Sequence, residues 1–364
     1  LLTALAAQRP DSPLVQAALG RACLAMFDFT KERTWADKAF AAADAASKLD
    51  PGLAESDVLL GETLLKTGRA REAVEAFQRA LSTQPTSYEA RLGLGRALDA
   101  TGEDGPSETA FRSAIELQPA SFAAYNQLGA LYYTRGRYPA ASDAFRKAAR
   151  LEPDSYRVMS NLGGARTMTG DFAGATDAYR KALALSPTYP SALSNLGLNQ
   201  LWTGHPAEAV ELLGIAAKYG PNQFDVWGNL GDAHRAVRGQ EAKATEAYAR
   251  SVALAREQLR LNPRDFRAQS FVATGLAKTG HPDEADKEMR RALVLAPKEP
   301  EILSDAAIVA ALAGRDSEAL DLLKKAIAAG YCGAILARQP EFARLRDEPA
   351  FRSIVAAPRE AAGS

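Results

Sequence analysis

Chemistry at this chain would most simply fall to its three histidines, His205, His234 and His281. No HxxxH or HExxH spacing joins them. His205 in TGHPAEA and His281 in TGHPDEA each precede a proline, which suits a polar turn residue better than a metal ligand. His234 falls on an apolar helical face and reads as a hydrogen-bonded packing residue. Cys23 and Cys332 are far apart and in no CxxC pattern, so small buried hydrophobes are expected rather than a disulfide or metal pair. Gly163-Gly164 and Gly93-x-Gly95 follow no strand and so make no phosphate loop. Carboxylates such as Glu72, Glu75 and Asp177 fall on solvated faces. No catalytic set emerges, and no cofactor or metal is expected. One constellation remains: Gln127, Asn161, Asn195 and Asn229, four amides spaced 34 residues apart. An amide both donates and accepts, so it can pair with a peptide unit whatever side chain that unit carries. The same amides can also do no more than bond their own neighbouring helices.

The amide spacing is the period of the whole chain. Ser160–Pro187 reads SNLGGARTMTGDFAGATDAYRKALALSP, and Ser194–Pro221 repeats its pattern as SNLGLNQLWTGHPAEAVELLGIAAKYGP. A 34-residue ruler then finds a bulky residue at position 4, Leu at 7, a small residue at 8 and a bulky one at 11. A small residue follows at 20, an aromatic or bulky one at 24, Ala at 27 and Pro at 32. Residues 54–87 give Leu60, Gly61, Leu64, Ala73, Phe77, Ala80 and Pro85; residues 156–189 give Leu162, Gly163, Ala175, Tyr179, Ala182 and Pro187. Positions 4, 7, 8 and 11 share one face of a first helix, and 20, 24 and 27 one face of a second. Small residues at 8 and 20 let the two helices approach, and the large residue at 24 is expected to fill the space beyond that contact. Glycines in TGR, TGD, TGH and RGR suit the left-handed end of the first helix. Pro at 32 is expected to start the next helix. One pair cannot bury its apolar face alone, so pairs must stack.

The ruler divides the chain into nine repeats, 13–53, 54–87, 88–121, 122–155, 156–189, 190–223, 224–265, 266–299 and 300–333. Residues 13–53 carry seven extra residues between their helices, around Phe27–Arg33. In 224–265 the second helix runs on through Ala253–Arg260. Residues 1–12 look like the end of a cut repeat, because Leu2 and Leu5 share a helical face and Pro10 stands at a repeat's end. The chain starts at Leu1, so a fragment or processed chain is expected. Residues 334–357 are expected to form a helical cap with helices starting at Pro340 and Pro349, and 358–364 a disordered tail.

Composition narrows the partners. Lys plus Arg and Asp plus Glu balance at 44 each, so no global positive field draws in nucleic acid or an anionic membrane. No apolar run is long enough to span a bilayer. The length of 364 residues exceeds what one core usually supports, roughly 250–300, a limit that a repeat array escapes. The compartment, cytoplasmic or periplasmic, and the oligomeric state stay open.

The ruler resembles the tetratricopeptide repeat (TPR) pattern over nearly the whole chain. That resemblance implies an all-α solenoid, a right-handed superhelix of helix-turn-helix repeats. Its concave groove would be lined by first helices at positions 2, 5, 6, 9 and 12 and would bind an extended peptide or a helix of another protein. The amides at position 6 are similar to the asparagine ladder of superhelical TPR proteins that hold a peptide by its backbone. Carried onto this sequence, the groove set is Asn126, Gln127, Tyr133, Arg157, Ser160, Asn161, Ser194, Asn195, Asp225, Asn229, Asp232, Arg235 and Arg267, with Thr167 and Trp202 beside it. The Lys/Asn/Arg carboxylate clamp of chaperone-binding TPR proteins is not matched: its basic slots hold Ser194, Gly228 and Phe271, and only Arg267 fits. FDFTKERTWADKAF, the lengthened helix near Ala253–Arg260 and GYCGAILARQPEFARLRDEPAFRSIV resemble the C-terminal TPR region of bacterial eukaryotic-type Ser/Thr protein kinases and related signalling proteins. This implies a sensor or docking region with catalysis upstream. A TPR arm of a glycosyltransferase is the remaining alternative.

Overall fold

The computed structural model describes residues 8–357. The tail expected at 358–364 and most of the cut repeat expected at 1–12 lie outside them. The described residues are helical and carry no strand. From Pro13 to Ala328 they form nine antiparallel pairs, each with a first (A) and a second (B) helix. Contacts divide the chain into two compact units, Leu1–Leu131 and Tyr132–Ser364.

The local devices are the same in each pair. The A helix stops at a glycine in the left-handed region, at Gly68, Gly102, Gly136, Gly170, Gly204, Gly280 and Gly314; in 224–265 it ends at Arg235 and the left-handed glycine, Gly239, comes four residues later in the turn. In 13–53 that place falls to Lys31, with φ of 59°. Small residues on the B helix, such as Ala73, Ala76 and Ala80, are fully buried and allow close approach. The large residue at position 24 does not fill a space beyond the contact, as the spacing suggested. It lies directly on the small one at position 8. A Cβ added at Gly163 would stand 2.5 Å from the Tyr179 ring, and one at Gly95 2.5 Å from Phe111. Phe77 covers Gly61 of its own pair and also Gly93 of the next. Glycine at these places is thus a seat for a ring, and the ring ties one repeat to its neighbour.

Two expectations change. Pro85, Pro119, Pro153, Pro187 and Pro221 do not begin helices; they stand just past the end of the B helix, in the turn before the next A helix. Proline there cannot continue the helix and presets φ for the turn. Prolines that do begin helices are Pro13, Pro190, Pro206, Pro282, Pro300, Pro340 and Pro349. The extra residues of 13–53 are not a loop either. They lengthen both helices, Pro13–Thr30 to 18 residues and Arg33–Leu49 to 17, where Tyr88–Thr101 and Asp104–Leu117 have 14 each. Continuing a helix leaves fewer backbone groups unpaired than a bulging loop would. In 224–265 the B helix Glu241–Leu261 runs for 21 residues.

Tyr132–Ser364 comes back on itself. The turn at Gly136 lies against Ala329–Gly330 at the end of the last pair; a Cβ on Gly330 would stand 3.6 Å from the Gly136 carbonyl oxygen. Beyond Gly330 the chain leaves the repeat register. It forms a short helix Gly333–Leu336, a 3-10 helix Pro340–Leu345 and a helix Pro349–Ala356. Phe342, Leu345 and Phe351 pack on Ala311, Leu323 and Ile327 of the last pair. The same segment also does something the sequence did not suggest, in the groove.

Candidate binding groove

Within Tyr132–Ser364 the A helices face one another across a groove. Tyr133, on the first of them, lies in the field of Arg267 and Glu301, on the last two. Burial, then Glu301, pushes the Tyr133 phenol up to about 12, against the pull of Arg267.

At the N-terminal halves of the A helices the groove is open. Arg157 is exposed and lies over the Tyr156 ring, which meets Tyr189 edge to face at 4.9 Å. Asn161 is exposed, Asn195 half-buried with no hydrogen-bond partner among the described residues, and Asn229 half-buried. Asn229 Nδ2 donates to Ser194 Oγ of the preceding repeat at 3.3 Å. Arg267 pairs with Glu301 at 3.7 Å, with both side chains about half exposed. Glu301 holds the Arg267 guanidinium above its usual range, with Asp225 and Asp305 adding to the effect. Asp305 occupies the amide position of the last pair and accepts from Ser270 Oγ at 2.6 Å. Burial raises the Asp305 carboxyl to about 6.

At the C-terminal halves the groove is filled by the chain's own segment. Cys332 and Ile335 are buried in one cluster with Tyr138, Met168 and Phe172, and Tyr331, Tyr133 and Trp202 pack on it. Arg338 lies over the Phe172 ring, 4.7 Å from its centre. Glu341 then enters a buried ionic cluster, its side chain 1% exposed. Its Oε1 accepts from Arg235 and lies 3.4 Å from Lys278 Nζ. Lys278, 8% exposed, pairs with Asp232 Oδ1 at 2.5 Å, and Tyr248 donates to the same oxygen at 2.6 Å. Burial alone would lower Lys278, but Asp232 and Glu341 outweigh it and the ammonium is held above its usual range. Arg235 behaves alike: Glu341, Tyr248 and Asp232 outweigh its burial.

The expected groove set therefore scatters. Asn161, Asn195, Asp225, Asn229, Arg157 and Arg267 belong to the open half. Asp232 and Arg235 are engaged by Lys278, Tyr248 and Glu341 and are not open to a ligand. Ser160, Ser194 and Thr167 are buried, contrary to expectation. Position 5 lies about 100° around the helix from position 6 and so meets the adjacent A helix; Thr167 bonds back to the Gly163 carbonyl and to the Tyr179 hydroxyl. Tyr133 and Trp202 face the inserted segment. Asn126 and Gln127 lie on the Leu1–Leu131 side of the boundary. Of the histidines, His205 and His281 sit before the B helices beside Thr203 and Thr279, and His234 pairs with Gln240 at 2.5 Å. Sequence reasoning missed Lys278, Tyr248, Glu301, Asp305 and Glu341. Lys278 had one signal: it puts a charge at position 13, where Met168 and Trp202 stand in other repeats. Among the described residues no group of His, Cys, Asp and Glu is placed to hold a metal, and no helix is long and apolar enough to cross a membrane.

Paired helices of this register define a TPR array. A tetratricopeptide repeat model matches residues 58–122, 106–151, 126–190 and 273–331, and a second matches 166–232. The chain belongs to the tetratricopeptide repeat family. Among solved structures it is similar to the APC/C hetero-tetramer Cut9-Hcn1 at 18% identity and a TM-score of 0.55, over 80% of this chain and 52% of that one. Pseudomonas aeruginosa pilF matches at 21% identity and a TM-score of 0.49, over 61% and 97%. YrrB, described as a TPR protein with an unusual peptide-binding site, matches at 20% and 0.42, over 50% and 93%. Identities of this size speak to fold alone. No curated protein matches by sequence.

Proposed function

We propose that this chain is a binding scaffold, and that the open half of its groove holds an extended segment of a partner protein by the backbone. The observation that carries the reading is Asn195. Its amide is half-buried in the middle of the row and has no hydrogen-bond partner among the described residues, so it offers donors and an acceptor to an incoming peptide unit. Asn229 uses one N–H on Ser194 and keeps its oxygen free to accept. Arg157, Asp225, Arg267 and Glu301 mix both signs along the rim, which suits orientation of a partner more than raw affinity. The chain itself is read as non-catalytic. Capturing partners on the purified chain beside the Asn161→Ala, Asn195→Ala, Asn229→Ala triple variant tests the idea. Loss of capture with an unchanged melting temperature supports it, and equal capture overturns it. A docking region of this kind suits attachment to a signalling enzyme, as the resemblance to kinase-linked TPR regions implies. A coding region upstream of Leu1 without a catalytic lysine and an HRD-like loop would exclude the kinase.

A further inference from the structure

The filled half of the groove holds a peptide that is not part of any repeat. After Gly330, with φ of 101°, the chain turns inward and seats Tyr331, Cys332 and Ile335 against the A-helix ends. Six residues beyond Ile335 it delivers Glu341 to Arg235 and Lys278. Taken without Glu341, Lys278 keeps Asp232 in direct contact and Asp305 further off in its field. Arg235 is then left with no ion-pair partner among the described residues, in surroundings where an unpaired charge is costly. Glu341 supplies that partner incompletely. Its Oε1 serves both cations, while its buried Oε2 has no hydrogen-bond partner among the described residues. Arginine–carboxylate pairs are frequently bidentate, with both oxygens engaged. On either side of Glu341 the contacts are apolar: Ile335 ahead, and Phe342 immediately after, packed on the last helix pair.

We propose that this half of the groove is an acceptor for an acidic segment of a partner protein. The segment would carry one carboxylate between an aliphatic anchor ahead of it and an aromatic one behind. The chain's own Tyr331–Leu345 holds the place until such a segment displaces it. This rests on the binding role given to the groove above and specifies the partner's chemistry. Because the resident segment is tethered, its effective concentration is of the order of millimolar, and a free competitor is disadvantaged until the resident contact is weakened.

The test uses the full chain and a fluorescent synthetic peptide of residues 329–357, followed by fluorescence polarisation. Glu341→Lys in the chain sets a third cation against Arg235 and Lys278 and expels the resident segment. That variant is expected to bind the peptide about tenfold or more tightly than the unaltered chain does. A peptide that itself carries Glu341→Lys should show no such gain. Adding Arg235→Glu to the Glu341→Lys chain restores an opposite pair within the chain and should return peptide affinity to that of the unaltered protein. Should Glu341→Lys not fold, Glu341→Gln has the same shape and is expected to give a smaller, several-fold gain. A folded variant of either kind that binds the peptide no better than the unaltered chain overturns the proposal, as does equal binding of both peptides. The assay does not depend on Asn161, Asn195 or Asn229. Loss of the amide reading with a positive peptide result would leave the acceptor standing, and the reverse would remove the acceptor alone.

Discussion

At their N-terminal halves the A helices of Tyr132–Ser364 present Arg157, Asn161 and Arg267 to solvent. At their C-terminal halves the same helices bury Asp232, Arg235 and Lys278 under Glu341. The two halves are less than a helix length apart, yet their polar groups are governed by different physics. An exposed pair such as Arg267–Glu301 is screened and contributes little, in the range of 0–1 kcal/mol. A buried cluster is held together by mutual need, because each charge has given up water and depends on the others. Polar groups of the open half can therefore be replaced at little cost to the fold, whereas a change in the filled half that leaves one charge without its partner destabilises it.

The largest expected effect follows from breaking the filled half. Lys278→Ala leaves Asp232 and Glu341 buried with Arg235 as their sole cation. A loss of about 3–5 kcal/mol is expected, read by urea unfolding. A loss below about 1 kcal/mol would mean that water enters the cluster and that the contrast between the halves is false. Next comes the apolar part of the same insertion. Ile335 is fully buried against Tyr138, Met168 and Phe172, so Ile335→Ala should cost about 2–5 kcal/mol. A much smaller value would show that the segment rests on the groove without being packed into it.

A smaller effect is expected at Asp305, where the amide row ends in an acid. Burial holds its carboxyl near 6 in the folded chain, above the unfolded value of about 4. The folded state thus keeps the proton more firmly than the unfolded state does. Below pH 4 both are protonated and Asp305 contributes no slope. Between about 4 and 6 the folded state binds more protons, so stability must fall as pH rises, and above 6 the penalty is constant. The expected fall is about 1–3 kcal/mol relative to Asp305→Asn, which removes that slope. Parallel curves for the two proteins over this range would place the Asp305 carboxyl in solvent, like the Arg267–Glu301 pair.

How much of this was legible in the sequence depends on the range of the interaction. The helix pairs are local: Gly163 and Tyr179 lie in one repeat and recur with the period, so the ruler finds both. The direction of packing was less visible, since spacing alone does not tell a ring lying on a glycine from one filling space beyond it. The amides show because they repeat. Glu341 does not repeat, and it meets Arg235 across 106 residues through a segment outside the register. No periodic signal reports such a pair, and a lone glutamate in a surface-like stretch, QPEFAR, gives no hint of burial. The serines at position 5 misled for the opposite reason. They repeat as faithfully as the asparagines beside them, but one step around the helix turns them into the seam.

The smallest effect on stability is expected where the functional effect is greatest. Asn161 is exposed, and Asn195 has no hydrogen bond to lose. Asn229 gives up one bond to Ser194, a neutral pair worth about 1 kcal/mol or less. Replacing all three with alanine should therefore shift unfolding by no more than about 1–2 kcal/mol in total, and alanine's better helix propensity offsets part of that. If the row is a binding surface, the triple variant melts almost where the unaltered chain does and fails to retain partners. If instead the amides serve their own helices, the loss approaches the value for Lys278→Ala and partner capture falls only as far as folding does. Measuring both quantities on both variants separates a groove half whose polar groups add little to stability from one whose polar groups the fold depends on.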